Sequence, residues 1–423
     1  MKARKSLNTS VFSGSHEVNG MTGADNTASV CETLVSRDFT SSFRGFSAID
    51  RYLGRDSLPF VVVETNADPA DLVRLFEDLR FPGSALADGA VEREQHYFFY
   101  CVDSDTPDRN ERRSFDLLNF SQDWKTRRFY DPLGMYPFLR ELRDGSGTAE
   151  TAPQFRWWEG LSPGTDYYRA LTDGALILAR YSRTAAEEGG AGETASVAIA
   201  EYFCSLRRKA PPREEEQRLL LTGLLVSPRP DLGLRLLKAA GFIEELWPEL
   251  AALDGVDHSK EFHPEGNAWD HTLETFRYRK PAVRGVYDFR LSLGLLLHDM
   301  GKPLAEASGS RRFDGHAELG AGAARKFLER LGFDGAFIAD IFYLVKNHML
   351  PAALPRLPLV RTGEVLESPL FPVLLELYRC DESSSFKGLD GYYESSAAYQ
   401  LYLRNRRNPY RSADGKKLKR VRG

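Results

Sequence analysis

The sequence predicts an α+β chain: a small αβ layer followed by an almost wholly helical remainder. Three observations carry that reading. The β-branched and aromatic runs Leu58–Glu64 and His96–Val102 both lie before residue 145, and the first leads straight into a helical pattern. A Gly/Ser-rich break, Asp144-Gly-Ser-Gly, closes this region, and a second break lies around Glu188–Glu193. Beyond it, apolar residues recur at three- and four-residue spacing to about residue 403.

Composition sets the bounds. The chain has 423 residues, 56 basic and 60 acidic side chains and a formal charge of −4, with 42% hydrophobic and 27% charged residues. At roughly 100–200 residues per domain, this implies two or three domains with real cores. No run approaches the ~18 consecutive apolar residues of a membrane span. Met1–Lys5 is basic, but Ser, Asn, Gly and Thr follow in place of an apolar core, which argues against a secretory signal. Four cysteines (Cys31, Cys101, Cys204, Cys380) show no C-x-x-C pair, so neither a zinc ribbon nor a disulfide scaffold is expected, and a reducing cytoplasm is the simplest setting.

The elements follow in order. Residues 1–42 are rich in Ser, Thr, Asn and Gly and read as a disordered leader. Residues 43–145 form the αβ layer. In it, Leu58–Glu64 is a strand, Asp68 caps a helix with Pro69 at its first position, and Leu72, Leu75, Phe76 and Leu79 supply its apolar face. His96–Val102 is a second strand and Ser114–Phe120 a candidate third. Residues 146–254 read as a helical neck, with helices over Leu219–Val226, Leu232–Ala240 and Ile243–Leu253. Residues 255–403 form a second helical domain, and 404–423 a tail with nine Lys/Arg against one acid, Asp414. A flexible basic arm of that kind neutralises phosphates, so RNA contact through the tail is expected beside the plainer reading of a solvated terminus.

The histidines carry the chemical signal. Five of eight fall between His258 and His316, and His348 follows shortly after. The sharpest string is Leu295-Leu-Leu-His298-Asp299-Met-Gly-Lys302, an apolar helix ending in two metal-competent side chains. His271, His316, His348 and Asp381 lie on other predicted helices in otherwise apolar surroundings. Imidazoles with carboxylates suit one or two divalent ions of Mn, Fe, Ni, Co or Zn, and the carboxylates admit Mg. Helix ends of this kind converge on an ion in a bundle.

His271 … His298-Asp299 … Asp381 resembles the metal-dependent phosphohydrolases of the HD superfamily. Glu261-Phe-His-Pro-Glu-Gly-Asn-Ala-Trp-Asp-His271-Thr-Leu, Ser227–Leu237, Phe313-Asp-Gly-His316 and Leu344-Val-Lys-Asn-His348-Met are similar to the version attached to bacterial tRNA nucleotidyltransferases and poly(A) polymerases. This likeness spans roughly residues 165–400. It implies that His271, His298, Asp299 and Asp381 hold one metal, with His316 and His348 holding a second ion bridged through Asp299. It also places Asp299 and Lys302 in catalysis, with Lys302 on a phosphate oxygen, and His263 and Asn267 at the substrate entrance. For Asn267, a turn stabilised with Gly266 is an equal alternative.

The resemblance extends to the head through Tyr52-Leu-Gly-Arg55, Glu64-Thr-Asn-Ala-Asp-Pro69, Arg112-Arg-Ser-Phe115 and Phe129-Tyr-Asp-Pro-Leu-Gly134. In that family, two carboxylates on the strand before the Thr-Asn-Ala turn hold catalytic Mg²⁺; here those positions are Phe60 and Val62, which offer no oxygen ligand. Ser114 replaces the aspartate of the family's Arg-Arg-Asp-Phe string. The resemblance therefore implies a nucleotidyltransferase-like head without its usual metal site and an HD domain hydrolysing a phosphoester in a nucleotide, cyclic nucleotide or RNA end. Two alternatives stand beside it. One is an active tRNA nucleotidyltransferase or poly(A) polymerase using Glu64 and Asp116; the other is a non-catalytic nucleotide or RNA sensor.

Overall fold

The structure, a computed structural model, describes residues 22–83, 86–102, 115–137, 139–140, 158, 161, 164–182, 191–257, 266–281, 287–309, 313–385, 388–408, 410–412 and 415–417. The chain divides into two compact units: residues 1–242 with 281–287, and residues 243–280 with 288–423.

The first unit is built on a six-stranded sheet of order β3-β4-β2-β1-β5-β6. The strands are β1 (Ser42–Arg44), β2 (Phe60–Thr65), β3 (Gly89–Glu92), β4 (His96–Cys101), β5 (Ser121–Asp123) and β6 (Phe129–Tyr130). β2 and β4 pair in parallel, with Val62 opposite Phe98, while the other neighbours are antiparallel. Val61, Val62 and Val63 are all buried, as befits an inner strand covered on both faces.

Three helices belong to this layer: α1 (Thr22–Val35), α2 (Phe46–Leu53) and α3 (Pro69–Leu75). α3 starts as expected. Asp68 accepts from the Asp71 amide at 2.7 Å, and Pro69 occupies the first helical turn. α1 corrects the disordered leader, because Val30, Cys31 and Leu34 are fully buried and the Thr27 hydroxyl lies 3.0 Å from that of Tyr97. Three apolar side chains on one helical face suffice here, and the polar composition around them hid that stripe.

The third strand also differs from expectation. Ser114 lies outside the described residues, and residues 115–120 form turns, with pairing starting at Ser121. Phe115 and Asn119 have positive φ (65° and 48°). The Phe115 and Leu117 amides donate to the carboxylate of Asp173 at 2.9 and 2.8 Å instead of to a neighbouring strand. Asp173 lies on α4 (Tyr167–Tyr181), which is followed by α5 (Ala191–Cys204), α6 (Glu214–Leu225) and α7 (Pro230–Ala239).

Among the described residues, the second unit has helices and no strand. Its main elements are α8 (Ala268–Thr275), α9 (Phe289–Leu297), α10 (Lys302–Ala307), α11 (His316–Arg330), α12 (Gly335–Asn347), α13 (Phe371–Ser383) and α14 (Asp390–Arg407). Residues 243–254, read from sequence as neck, pack in this unit. Trp247 meets Phe327 edge-on at 6.2 Å, and Arg330 pairs with Glu249 at 2.8 Å. The start of the basic tail is helical too, since Arg404, Arg406 and Arg407 form the last turn of α14. No helix among the described residues is long and apolar enough to cross a membrane.

Candidate metal centre

α9 explains how polar groups reach the interior of the second unit. Asp288 caps its start by accepting from the Leu291 amide at 2.8 Å. Leu293, Leu295, Leu296 and Leu297 are fully buried, so the helix drives its C-terminus inward and carries His298 and Asp299 with it. α11 presents His316 as its first residue after Gly315, α12 ends on His348, and α8 and α13 supply His271 and Asp381.

The six predicted ligands converge as two triads, His271/His298/Asp381 and Asp299/His316/His348, whose ligand atoms lie within 4.8 Å of one another in each. His271 Nε2 is 3.0 Å from Asp381 Oδ1, and His298 Nε2 is 3.9 Å from the same oxygen. Asp299 stands between the triads. Its Oδ2 is 3.3 Å from His298 Nε2, and its Oδ1 is 3.7 Å from His316 Nε2. The Asp381 side chain is 25% exposed while those of His271, His298 and Asp299 are at most 3% exposed, so the centre opens on the Asp381 side.

One device orients three of the histidines. His298, His316 and His348 each donate Nδ1–H to the carbonyl three residues earlier, on Leu295, Phe313 and Val345, at 2.7, 2.8 and 2.7 Å. A carbonyl can only accept, so the proton sits on Nδ1 and each neutral ring turns a bare Nε2 into the centre. His316 Nε2 and His348 Nε2 then face each other at 3.1 Å with no proton to share. The buried His298 Nε2 has no hydrogen-bond partner. Facing lone pairs and an orphaned nitrogen are what a cation would satisfy, so these residues fit a divalent metal.

The charges agree with that fit. Burial holds the His348 imidazole down to about 4 and lowers that of His316, keeping both neutral donors at pH 7. Burial pulls Asp299 upward, but the Lys302 ammonium against it holds the carboxyl well below its usual range. Asp381 is likewise depressed, with burial raising it and the hydrogen bond with His271 overcoming that.

The remaining predicted residues divide. Lys302 Nζ donates to Asp299 Oδ2 at 2.6 Å. Asn267 is a helix cap: its side chain accepts from the Asp270 amide at 2.8 Å and donates to Asp254 at 3.1 Å. His263 lies outside the described residues.

Gly301 has a role that the motif does not reveal. A Cβ there would fall 1.9 Å from the His316 carbonyl oxygen, and one on Gly320 would fall 2.9 Å from the Gly301 nitrogen. Two glycines thus let the His298-Asp299 turn lie directly against the first turn of α11. Glycine at such spots marks close backbone approach, though only the partner helix reveals which backbone.

In the head, Phe60 and Val62 are buried and apolar. The nearby carboxylates are Glu64 and Asp116, and both meet Arg44, at 3.1 and 2.7 Å. Asn119 also accepts from this guanidinium, and Asp116 Oδ1 is buried without a partner. Arg44 belongs to no motif; its partners become neighbours only when β1 pairs with β2 and the 115–120 turns fold over them.

Residues 269–378 match the HD domain family. The CC-adding tRNA nucleotidyltransferase of Thermus thermophilus is 36% identical over 151 residues, which are 35% of this chain and 34% of that protein. The A-adding tRNA nucleotidyltransferase of Deinococcus radiodurans is 33% identical over 185 residues, covering 41% of this chain and 40% of that protein. The CCA-adding enzyme of Bacillus stearothermophilus, solved in complex with CTP, aligns with 91% of this chain and 83% of its own at 18% identity and a TM-score of 0.45. The chain thus spans well under half the length of the curated relatives it matches.

These relatives correct the expectation of a nucleotide phosphohydrolase with an inactive head, since they are named for nucleotide addition to tRNA. Ligand spacing specifies a metal centre, but the reaction a whole chain performs is set elsewhere as well. The chain carries an HD domain at residues 269–378 and shares about a third of its length with tRNA nucleotidyltransferases.

Proposed function

We propose that the chain is a metal-dependent tRNA nucleotidyltransferase, adding nucleotides to a tRNA 3′ end from CTP or ATP. The observation that carries this reading is its identity with enzymes named for CC and A addition to tRNA. Nucleotidyl transfer depends on positioning and on neutralising the triphosphate. With Phe60 and Val62 unable to bind a hard cation, Glu64 and Asp116 are the head carboxylates for that task. Their support is that Arg44 brings both to one place while Asp116 Oδ1 stays buried without a partner. A divalent ion in the head would neutralise the triphosphate, while Arg44 holds the two carboxylates together.

In the HD domain, His271, His298, Asp299, His316, His348 and Asp381 are the metal ligands in this reading. Arg404, Arg406, Arg407 and Arg411 supply a basic surface for the tRNA backbone. Cys31, Cys101 and Cys380 are buried cysteines, in keeping with a cytoplasmic setting.

The test uses tRNA lacking its terminal nucleotides, labelled CTP or ATP, and Mg²⁺. Extension is expected, with Glu64→Gln and Asp116→Asn each lowering it by about 100-fold while the fold persists by circular dichroism. No extension with either nucleotide overturns the activity. Extension unchanged in both variants overturns the assignment of the carboxylates.

A further inference from the structure

Trp124 opens the loop between β5 and β6, and two guanidiniums gather on it. Arg127, near the end of the loop, has its guanidinium carbon 3.8 Å from the indole centroid, and that of Arg51 on α2 lies 5.8 Å from the indole and 4.1 Å from the Phe43 ring. Arg51 donates Nε–H to Gln122 at 3.0 Å and makes no bond through its two terminal nitrogens, while the Arg127 guanidinium makes none at all. Among the described residues neither has an ion pair, so two like charges share an aromatic shelf with nothing of opposite sign between them. Burial, and then the charge of Arg127, lowers the Arg51 guanidinium. Arg127 also holds φ at 60°, where a hairpin loop usually takes glycine or asparagine.

The surroundings add positive charge. Lys125 and Arg128 are exposed on the same loop. The flanking acids are turned to other work: Asp123 accepts from the Thr126 amide and hydroxyl, both at 2.6 Å, and Asp131 from the Met135 and Tyr136 amides at 2.7 and 2.6 Å. Glu32, exposed on α1, pairs with neither guanidinium. Phe43 pairs with Gln122 across β1 and β5, whereas Arg44 pairs with Ser121. Paired residues share a face and successive ones alternate, so the Arg51–Trp124 group and the Arg44–Glu64–Asp116 cluster lie on opposite faces of the sheet.

We propose that Arg51, Lys125, Arg127 and Arg128 form a phosphate-binding surface for the tRNA strand, on the face of the head sheet opposite Glu64 and Asp116. The partner rests on the tRNA reading above; the surface is a contact of the head itself. Trp124 is the shelf that keeps the two guanidiniums together, and phosphate oxygens accepting from both relieve their repulsion. Contacts to phosphate read no base, so binding here is salt-dependent and indifferent to sequence.

The test is binding of fluorescently labelled tRNA lacking its terminal nucleotides to the full-length protein, followed by anisotropy across a series of KCl concentrations. Arg127→Gln is expected to weaken binding about 10-fold near 0.1 M salt and to reduce the slope of log affinity against log salt by about 1, and the double variant with Arg51→Gln to reduce it by about 2. Arg127→Lys keeps the charge and retains the slope. Arg74→Gln removes the same charge from an exposed site on α3, where Arg74 pairs with Asp71 at 3.0 Å, and leaves affinity and slope unchanged. Lys125→Gln, at an exposed position, repeats the measurement should an arginine variant not fold. A wild type that does not bind tRNA, wild-type affinity and slope in the Arg127 and Lys125 variants, or an equal loss in Arg74→Gln overturns the proposal. Binding needs no nucleotide transfer, so the two readings fail separately. Extension of tRNA with binding unaltered in the variants refutes the surface alone; weakened binding in the variants of a protein that never extends tRNA refutes the activity alone.

Discussion

The head and the HD domain both bury carboxylates among nitrogen bases, yet they compensate that charge in opposite ways. In the head, Glu64 and Asp116 meet a guanidinium that the chain itself provides, Arg44. In the HD domain, three imidazoles point proton-free nitrogens inward, and Lys302 sits on one oxygen of Asp299. The first arrangement carries its own cation and leaves Asp116 Oδ1 buried without a partner; the second presents bare nitrogens that an ion from solution would satisfy. What separates the two is how far a cation of the chain itself already matches the acceptors.

The comparison can be broken most forcefully at Arg44. Arg44→Met leaves two carboxylates facing each other in the head, and removing one partner of a buried ion pair costs about 3–5 kcal/mol. Urea unfolding, with hydrogen exchange read over β1 and β2, is expected to show that loss in the first unit alone. A change below about 1 kcal/mol there would mean that Arg44 is not what balances the pair.

The second effect is smaller and belongs to pH. The His348 imidazole is held down to about 4 by burial, below its ordinary value of 6.5. The stability it contributes is thus fully present above pH ~6.5 and is lost as pH falls through 4, amounting to about 3 kcal/mol in the metal-free protein. Urea midpoints between pH 7.5 and 4 should show this loss in the wild type, a smaller one in His348→Gln, and a shift to lower pH when Mn²⁺ is added. An identical pH profile in wild type and His348→Gln would contradict it.

The smallest effect sharpens the distinction between site and scaffold. Asn267→Ala removes a helix cap and is expected to cost about 1 kcal/mol, seen in thermal unfolding. Mn²⁺ affinity should stay within about twofold, since the Asn267 side chain bonds Asp270 and Asp254 and no triad side chain. A large loss of affinity at unchanged stability would restore it to the site.

Much of the HD domain was legible in the sequence because its ligands sit at helix ends, where an apolar run stops on a polar pair, as at Leu297-His298-Asp299. Helical periodicity also located α6 and α7, and the Asp68-Pro69 signal located the start of α3. The failures share a cause. α1 is anchored by three apolar residues within a polar stretch, the Arg44 cluster assembles residues 72 positions apart, and the 115–120 turns answer to a carboxylate on α4. Each depends on a partner distant in sequence, and local pattern carries no record of distant partners. Lys302 shows the subtler case: its presence beside the His-Asp pair was legible, but not the oxygen to which it would be bound.

The backbone contact between Gly301 and α11 has a mechanical consequence. Since no side chain lies between the two segments, main-chain contact sets the spacing between the backbone of the His298-Asp299 turn and the first turn of α11. The spacing of these two backbone segments thus behaves as a gauge cut into the fold, with a tolerance set by main-chain atoms. A single methyl group at position 301 would reset that gauge, whatever its effect on helix propensity.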